Sequence, residues 1–483
     1  MIRETRKAAA SQNEFGIGFT TGDGEPLDGV KVDVDFGRVM RRMRSLRAQI
    51  APVDGHDRGD SVGVQTFQGR GVFTSPNTIE VVEHGRELGD EKNPTIHFRK
   101  AVIATGGRPT VPGDVSGLKD APYTTNLNLF NLQQLPRRMV VLGAGIVALE
   151  MAQAFAAFGS EVTVLARSRP LSSGDDEASK VIRATLEKEG VRFLTGASVR
   201  EVRTIRRPSS ESELALMSLS LSCNERDAEV ELDCECLLLA TGRTANVEDM
   251  GLEDGGVDFH PTRGVLVNDF AQSRSNPNVY AVGDCVANVP RLTHGKGAAH
   301  FDSLLPPIIP SFANVECQHA TRDSFANTIV SGEMAKVAVQ NSLFGGSWKL
   351  SSLVIPAVMY TEPEYGSVTT ISVDEVGNVV PRTSDDGEID EYKADLTHND
   401  RAILDSSDAG CFVKVRCRRG TPEVVGCDVL SSRAGEMINE ITLAMKNGIG
   451  LDGLGRNVHS YPTLGEGVMG CGLQYVNSKW ETM

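Results

Sequence analysis

The sequence predicts an α/β fold, and three observations support this prediction. The stretch "VVLGAGIVALE", beginning at Val140, reads as a buried strand that enters a glycine turn and then a helix. The segments "KAVIATGG" from Lys100 and "CLLLATGR" from Cys236 each run an apolar strand into Ala-Thr-Gly. A further strand, "NPNVYAVGD", ends at Gly283 and Asp284. Strands that alternate with helices are typical of a parallel sheet covered by helices.

The glycine turn has the spacing of a dinucleotide-binding fingerprint. Gly143 and Gly145 allow a tight turn and a close approach of the backbone to a pyrophosphate, and Ala148 lets the helix pack closely on the sheet. The helix N-terminus offers N–H groups to the phosphates. The run "ALEMAQAFAAFG" continues the helix, and "SEVTVLARS" follows as a second strand. The sequence therefore predicts a complete βαβ unit, and a glycine turn with only a packing role is the alternative.

The end of the second strand indicates which nicotinamide cofactor is bound. A carboxylate there would bind the 2′-hydroxyl of NAD, whereas a nearby arginine accommodates the 2′-phosphate of NADP. The strand ends at Arg167 and Ser168, with Arg169 beyond, while Glu161 lies at its start. This pattern favours NADPH, and a pair of surface arginines without a ligand is the alternative.

Composition and charge exclude several classes of protein. A chain of 483 residues with a hydrophobic fraction of 40% is expected to form several globular domains. The net charge of −15, with no clustered basic stripe, argues against a nucleic-acid partner. No apolar run approaches the roughly 20 residues that span a bilayer, so we expect no membrane partner. The opening "MIRETRKAAASQ" lacks the apolar centre of a secretory signal.

The cysteines are expected to be buried thiols, and no metal site is predicted. The nine cysteines show neither C-x-x-C nor a paired zinc pattern. Cys234 and Cys236, in "ELDCECLLLATG", are predicted to lie on one face of a strand. This usage indicates a reducing compartment. The cytoplasm is the default location, although the sequence does not identify the compartment or any transit peptide.

Together with three later segments, these motifs resemble the pyridine nucleotide-disulfide oxidoreductase family, and within it the mercuric reductase and dihydrolipoamide dehydrogenase branch. The later segments are "IPAVMYTEPEYGSV", "AGEMINEITLAMKNGIG" and "HSYPTLGEG", so that the resemblance extends over nearly the whole chain. It implies FAD-binding and NAD(P)-binding Rossmann-like domains followed by a C-terminal α+β dimerisation domain, in a homodimer.

The same resemblance implies a domain order. We expect a remnant of the FAD-binding domain at 1–125, the NAD(P)-binding domain at 126–250, the FAD-binding domain continued at 251–350 and the dimerisation domain at 351–483. An insertion at 295–331 interrupts the continued FAD-binding domain, because this stretch shows no sustained helical or strand period and contains a Pro-Pro pair. It is either a species-specific surface insertion or a retained intron translated in frame.

The resemblance further implies that the first FAD-binding βαβ unit is missing. The fingerprint at Gly143 resembles the family's second one, and "MIRETRKAAASQNEFGI" resembles the segment directly after its redox motif, two cysteines separated by four residues. No pair of cysteines in the sequence has that spacing. We expect Met1 to be an internal methionine of a truncated chain, and a natural isoform without the flavin site is the alternative.

The resemblance assigns two groups of cofactor-binding residues. On the NADPH side, Arg167 and Ser168 would lie near the adenosine ribose and Glu150 near the nicotinamide. The full NADPH set is Gly143, Gly145, Ala148, Glu150, Arg167 and Ser168. On the FAD side Asp284 would bond the ribityl chain, with capping of the next helix as its alternative role. The remaining positions of this side are Thr105, Gly106 and Gly283. Gly242, in the second Ala-Thr-Gly segment, is a further cofactor-binding position.

The candidate catalytic residues lie in "HSYPTLGEG". In this family a histidine directly before Pro-Thr and a following glutamate handle a thiol proton; the equivalent positions here are Tyr461 and Glu466. A phenol with an unperturbed pKa near 10 is a poor base at neutral pH, but it can donate a proton or approach a soft metal. His459 would share a face with Tyr461 in an extended segment, and a structural role is its alternative.

The predicted function is an FAD-dependent NAD(P)H:disulfide oxidoreductase acting on a small disulfide or electrophile, inactive as the truncated chain. Mercury reduction lacks support, because the end of the chain carries only Cys471 instead of a vicinal cysteine pair. The alternative is a non-catalytic, NADP(H)-binding dimeric protein. A flavin absorbance band in the purified protein would distinguish the two.

Overall fold

The computed structural model describes residue 23 and residues 33–53, 56–210, 213–223, 228–287, 328–373, 379–381, 389–407 and 409–480. The opening segment, 1–17, and most of the predicted insertion lie outside the described residues. The end of that insertion, 328–331, is the first turn of the helix Thr328–Leu343, so this helix begins earlier than the sequence indicated.

The α-helices and strands of the described residues have the following bounds. The helices are Phe36–Ile50, His56–Ser61, Ile146–Phe158, Asp176–Lys188, Thr328–Leu343, Asp400–Leu404, Ala434–Lys446, Leu451–Arg456 and Glu466–Trp480. The strands are β1 (Arg70–Ser75), β2 (Thr78–Val82), β3 (Thr95–His97), β4 (Ala101–Ile103), β5 (Gly107–Pro109), β6 (Arg138–Leu142), β7 (Glu161–Ala166), β8 (Arg192–Thr195), β9 (Ala197–Arg206), β10 (Leu216–Cys223), β11 (Ala228–Cys234), β12 (Cys236–Leu239), β13 (Arg243–Ala245), β14 (Phe259–His260), β15 (Gly264–Val265), β16 (Val279–Ala281), β17 (Ala357–Met359), β18 (Glu364–Thr369), β19 (Ile371–Val373), β20 (Val379–Pro381), β21 (Ile389–Asp395), β22 (Phe412–Arg418) and β23 (Val424–Ser431).

The chain divides into two compact units. The first comprises Met1–Thr66, Pro109–Ser172 and Ser179–Thr241, and the second comprises Phe67–Arg108, Ser173–Ala178 and Gly242–Met483. The four domain segments named from the sequence follow a different division and stay a prediction.

A parallel sheet with the order β12-β6-β7-β8 forms the centre of the first unit. Its strands are short apolar runs, as expected for a parallel sheet with both faces covered. Val141, Val164 and Leu237 are fully buried within it. The predicted βαβ unit is confirmed, because the helix Ile146–Phe158 connects β6 to β7. This helix ends at Gly159, whose φ of 108° is the left-handed conformation of a helix C-cap.

The helix Phe36–Ile50 packs on the βαβ helix through aromatic contacts. The Phe36 ring lies 5.9 Å from each of the rings of Phe155 and Phe158. The helix also carries five arginines and no acidic residue, and two of these arginines, Arg44 and Arg47, contact Phe130.

The two neighbouring cysteines of the first unit lie on different strands. Cys234 ends β11, in the antiparallel sheet β11-β10-β9, whereas Cys236 begins β12, in the parallel sheet. The expectation that both lie on one strand is wrong, because the chain leaves one sheet and enters the other at Glu235. Both thiols are buried, as predicted.

The second unit contains a small parallel sheet and a larger antiparallel one. Strands β16 and β4 pair in parallel, from Val279 opposite Ala101 to Ala281 opposite Ile103. The antiparallel sheet has the order β17-β18-β23-β22-β21. The helix Ala434–Lys446 packs on its strands β18 and β23 and buries Met437, Ile438 and Ile441. The apolar residues of this helix recur at helical spacing, which is why one face of it is buried.

The described residues contain neither a membrane-spanning helix nor a cluster of metal ligands. None of their helices combines the length and the apolar character needed to cross a bilayer. No group of three or more histidine, cysteine or acidic side chains among them could hold a metal ion.

Candidate functional site

The glycine turn after β6 requires glycine for two reasons at Gly143. This residue has a φ of 116°, and a Cβ atom added to it would lie 2.3 Å from the carbonyl oxygen of Ala240. Its N–H donates to the carbonyl of Leu165 at 2.9 Å, which ties the turn to β7. Any side chain here would separate the turn from the ends of its neighbouring strands.

The helix that follows the turn has an uncapped N-terminus. Gly145 is its N-cap residue and, because glycine has no side chain, it gives the first turn no side-chain cap. Ala148 is fully buried, and Glu150 is partly buried on the same helix. Unpaired N–H groups at a helix N-terminus attract phosphate groups. The residues at this turn therefore fit a dinucleotide.

The two arginines after β7 have different environments. Arg169 donates to the carbonyls of Leu171, at 2.9 Å, and Ser172, at 3.0 Å, and so builds the turn. Leu171 has a φ of 49°, and its N–H donates to the carbonyl of Ala144 at 2.8 Å. Arg167 is exposed, and no described residue forms a salt bridge or hydrogen bond with its side chain. Arg167, with exposed Ser168, is thus available to a ligand.

A second cluster lies in the second unit, where β4 and β16 end. The Thr105 hydroxyl donates to the carbonyl of Asn246 at 2.7 Å, and the Asn246 side chain donates back to the Thr105 carbonyl at 2.9 Å. Gly106, with a φ of 65°, accepts from the Asn246 N–H at 3.0 Å. These hydrogen bonds link the turn of the first Ala-Thr-Gly segment to Asn246, which follows the second Ala-Thr-Gly segment in the chain.

Asp284 is held by a residue that sequence reasoning overlooked. The Arg243 Nε lies 2.6 Å from Asp284 Oδ2, and the same guanidinium donates to the carbonyl of Gly107. The Asp284 side chain is 16% exposed and the Arg243 side chain 32% exposed. Gly242 and Gly283, the glycines that precede these two residues, both have positive φ values. The signal for Arg243 was its place directly after the second Ala-Thr-Gly.

This second cluster fits the ribityl side of a flavin. The Asp284 carboxylate is partly accessible and keeps an oxygen that can accept from a hydroxyl group. An added Cβ at Gly107 would lie 3.1 Å from the Asp284 Cβ, so glycine keeps the backbone close to the carboxylate. Among the described residues, one strand–glycine–helix fingerprint is present, the one at Gly143.

The C-terminal motif brings each candidate catalytic residue to a different partner. His459 Nε2 lies 2.9 Å from Glu440 Oε1, and its Nδ1 lies 3.2 Å from the carbonyl oxygen of Asn457. The Tyr461 hydroxyl donates to Asp400. Neither Glu440 nor Asp400 was among the predicted site residues, and both lie on other helices.

The expectation that His459 and Tyr461 lie on one face of the segment is wrong. The His459 side chain is 7% exposed, whereas Tyr461 is 71% exposed. The segment is irregular here, so alternation does not apply. Glu466 begins the last helix and accepts from the Thr463 N–H at 3.0 Å, which is the role of a helix cap.

Tyr461 is a neutral phenol in this arrangement. Its hydrogen bond to Asp400 raises the pKa of the phenol above its ordinary value, and the negative charge of Asp400 adds to this effect. Glu466 contributes a smaller increase of the pKa in the same direction. At neutral pH the side chain therefore keeps its proton, and that proton points to a carboxylate.

The fold and these clusters define an α/β protein of the FAD/NAD(P)-binding class. The chain belongs to the pyridine nucleotide-disulphide oxidoreductase family, which matches residues 38–298, and the dimerisation domain of that family matches residues 355–470. The resemblance inferred from the motifs is confirmed.

Curated relatives come from the two predicted branches. Mercuric reductase of Acidithiobacillus ferrooxidans is 29% identical over 400 residues, which is 83% of this chain and 61% of the relative. Dihydrolipoyl dehydrogenase of Staphylococcus aureus is 27% identical over 443 residues, covering 91% of this chain and 80% of the relative. The chain thus spans less than two thirds of the length of the first of these relatives.

Solved structures share the fold. LpdA from Mycobacterium tuberculosis aligns with a TM-score of 0.70 and 21% identity, covering 98% of this chain and 88% of that one. The HOCl-induced flavoprotein disulfide reductase RclA from Escherichia coli aligns in its Cu(II) complex with a TM-score of 0.69 and 20% identity, covering 91% and 86%.

Proposed function

We propose that the chain carries the nucleotide-binding and dimerisation parts of an FAD-dependent NAD(P)H:disulfide oxidoreductase that prefers NADPH. The observation that carries the cofactor preference is the exposed Arg167 just after β7, whose side chain pairs with no residue that the structure describes. The family membership and the uncapped helix after Gly143 support the nucleotide site. A guanidinium pairs well with a phosphate, because its planar fork of N–H donors gives two charge-assisted hydrogen bonds to two phosphate oxygens.

The residues of the first unit would bind and orient NADPH. The first turn of the helix after Gly145 would bind the pyrophosphate, and Arg167 would bind the 2′-phosphate with Ser168 beside it. Glu150 would lie near the nicotinamide. Arg169 acts indirectly, because its bonds to the backbone of Leu171 and Ser172 hold the turn that presents Arg167.

On the flavin side, Asp284 would accept a hydrogen bond from a ribityl hydroxyl, and Arg243 would hold its carboxylate in orientation. Thr105, Gly106 and Gly242 shape the backbone around it. Bound FAD would supply two-electron transfer between the nicotinamide and a disulfide.

The proposed substrate is a small disulfide or electrophile, handled near Tyr461 in a homodimer. Tyr461 is exposed and neutral, so it can contact a sulfur group without repelling a thiolate. The dimerisation domain at 355–470 contains this residue, which supports a position near a subunit interface.

Replacing Arg167 with glutamate tests the cofactor preference. The change turns a charge-assisted contact into repulsion, so we expect NADPH binding to weaken roughly 10- to 100-fold, while NADH binding changes little. Both dissociation constants are measured by cofactor fluorescence. Arg192→Glu is the matched control, because Arg192 is exposed at the opposite end of the same sheet, paired with Thr163. Equal losses for the two cofactors would refute the assignment.

A non-catalytic, NADP(H)-binding dimeric protein is the second candidate. One observation favours it: no two cysteines of the chain are separated by four residues, the spacing of the family's redox pair. NADPH oxidation with a disulfide substrate, together with a flavin absorbance band in the purified chain, would eliminate this candidate.

A further inference from the structure

The residues Asn399 and Asp400 form a corner that contacts the motif "YPT" at two points. The Asn399 side chain accepts from the Ala402 N–H at 2.9 Å, which starts the short helix Asp400–Leu404. Its amide nitrogen donates to the carbonyl of Thr463 at 3.0 Å. The next residue, Asp400, accepts the Tyr461 hydroxyl. Two adjacent side chains therefore hold the backbone and the phenol of one motif.

We propose that Asp400 is a positioning residue that sets the direction of the Tyr461 phenol in the proposed sulfur chemistry. This inference rests on the proposed function and extends it. The carboxylate accepts the hydrogen bond of the phenolic O–H, so the oxygen lone pairs of the exposed phenol remain for a ligand. Tyr461 then acts as a hydrogen-bond acceptor, and the group it fits is a neutral donor such as a thiol S–H.

The other carboxylates and the histidine of the motif do not compete for this role. Glu466 is engaged with the Thr463 N–H. His459 is almost completely buried and faces Glu440, so a substrate does not reach it in this arrangement. The titratable groups that act on the Tyr461 phenol are Asp400 and, more weakly, Glu466. Removal of the Asp400 carboxylate is therefore expected to change the pKa of the Tyr461 phenol.

The position of Asp400 is independent of the ion pair that follows it. Arg401 Nε, on the short helix, lies 2.8 Å from Oδ2 of Asp405, the C-cap residue of that helix, and this pair makes no contact with Tyr461 among the contacts that the described residues show. Asp405→Asn thus removes a carboxylate from the same helix without touching the phenol, and it is a matched control for Asp400→Asn.

The test is an absorbance titration of Tyr461 in the chain as it exists. The difference between the wild type and Tyr461→Phe isolates one phenol among the seven tyrosines. The same difference is measured in Asp400→Asn, with and without Tyr461→Phe. We expect Tyr461 to titrate at lower pH in Asp400→Asn, at the wild-type pH in Asp405→Asn, and near the wild-type pH in Asp400→Glu. An unchanged titration in Asp400→Asn, or an equal shift in Asp405→Asn, would overturn the proposal.

A second variant covers the case in which Asp400→Asn does not fold. Asn399→Ala keeps the carboxylate but removes the tether to Thr463, so the phenol is held less firmly against Asp400 and should titrate at lower pH. If Tyr461 titrates at the wild-type pH in Asn399→Ala, this result would also contradict the proposed role of the corner formed by Asn399 and Asp400. The measurement needs neither flavin nor nicotinamide. A shifted titration together with failed NADPH binding therefore refutes the proposed function and leaves the phenol geometry standing.

Discussion

At Cys236, burial sets the chemistry of the thiol. Burial raises its pKa to about 11, and it raises the pKa of Cys417 and of Cys471 to about 12. A thiol is reactive as the thiolate, so these side chains are unreactive at neutral pH. The buried cysteines among the described residues are Cys234, Cys236, Cys285, Cys411, Cys417, Cys427 and Cys471. They act as packing residues, as the composition predicted.

Replacing Cys236 with serine should reduce the sensitivity of the fold to alkaline pH. The folded-state pKa is raised, so the contribution of the thiol is complete below the unfolded pKa of about 8.5. It is lost as the pH rises towards about 11. In that window one thiol changes the free energy of unfolding by about 1.4 kcal/mol per pH unit. Urea unfolding at several pH values measures the slope, and equal slopes for the variant and the wild type would contradict the prediction.

At the scale of elements, the turn between β6 and its helix is the most constrained connection of the site. Its geometry follows from the Gly143 φ of 116° and from the closeness of the Ala240 carbonyl. The strand, the turn and the helix were predictable because each depends on neighbouring residues. The end of β7 was equally predictable, but the separate roles of Arg167 and Arg169 depend on contacts that the turn makes afterwards.

Replacing Gly143 with alanine should destabilise this turn. Backbone strain alone costs about 1–3 kcal/mol, and the clash with the Ala240 carbonyl adds to it. We expect a lower free energy of unfolding and a weaker affinity for NADPH, measured by urea unfolding and cofactor fluorescence. Gly113→Ala is the control, since no atom lies within 4 Å of its added Cβ and its φ is ordinary. Equal stability of the two variants would show that the turn can relax.

At the scale of the whole molecule, the helix Ala434–Lys446 links the fold to the proposed homodimer. One face packs on the sheet, while Leu443 on the same helix is 63% exposed. Val458, a short distance along the chain, is 91% exposed. Exposed apolar side chains in a dimerisation domain are expected to meet a partner subunit.

Leu443→Glu should therefore weaken the dimer. Burying a charge in place of a leucine at an interface costs roughly 2 kcal/mol, which is about a 30-fold increase of the dissociation constant. Sedimentation velocity over a range of concentrations measures this change. Leu88→Glu is the control, because Leu88 is 53% exposed in a turn outside the dimerisation domain. An intact protein that is monomeric before any substitution would count against the homodimer itself.

The sequence by itself determined the βαβ unit, the glycine positions and the order of the motifs. These features depend on local properties, namely apolar periodicity and the backbone freedom of glycine, which neighbouring residues reveal. Only the tertiary structure decided which charged and polar groups meet. Arg243 contacts Asp284 from 41 positions away, His459 contacts Glu440 from 19, and Tyr461 contacts Asp400 from 61. Such pairs form when distant elements pack together, and neither the sequence spacing nor the types of the two residues predict them.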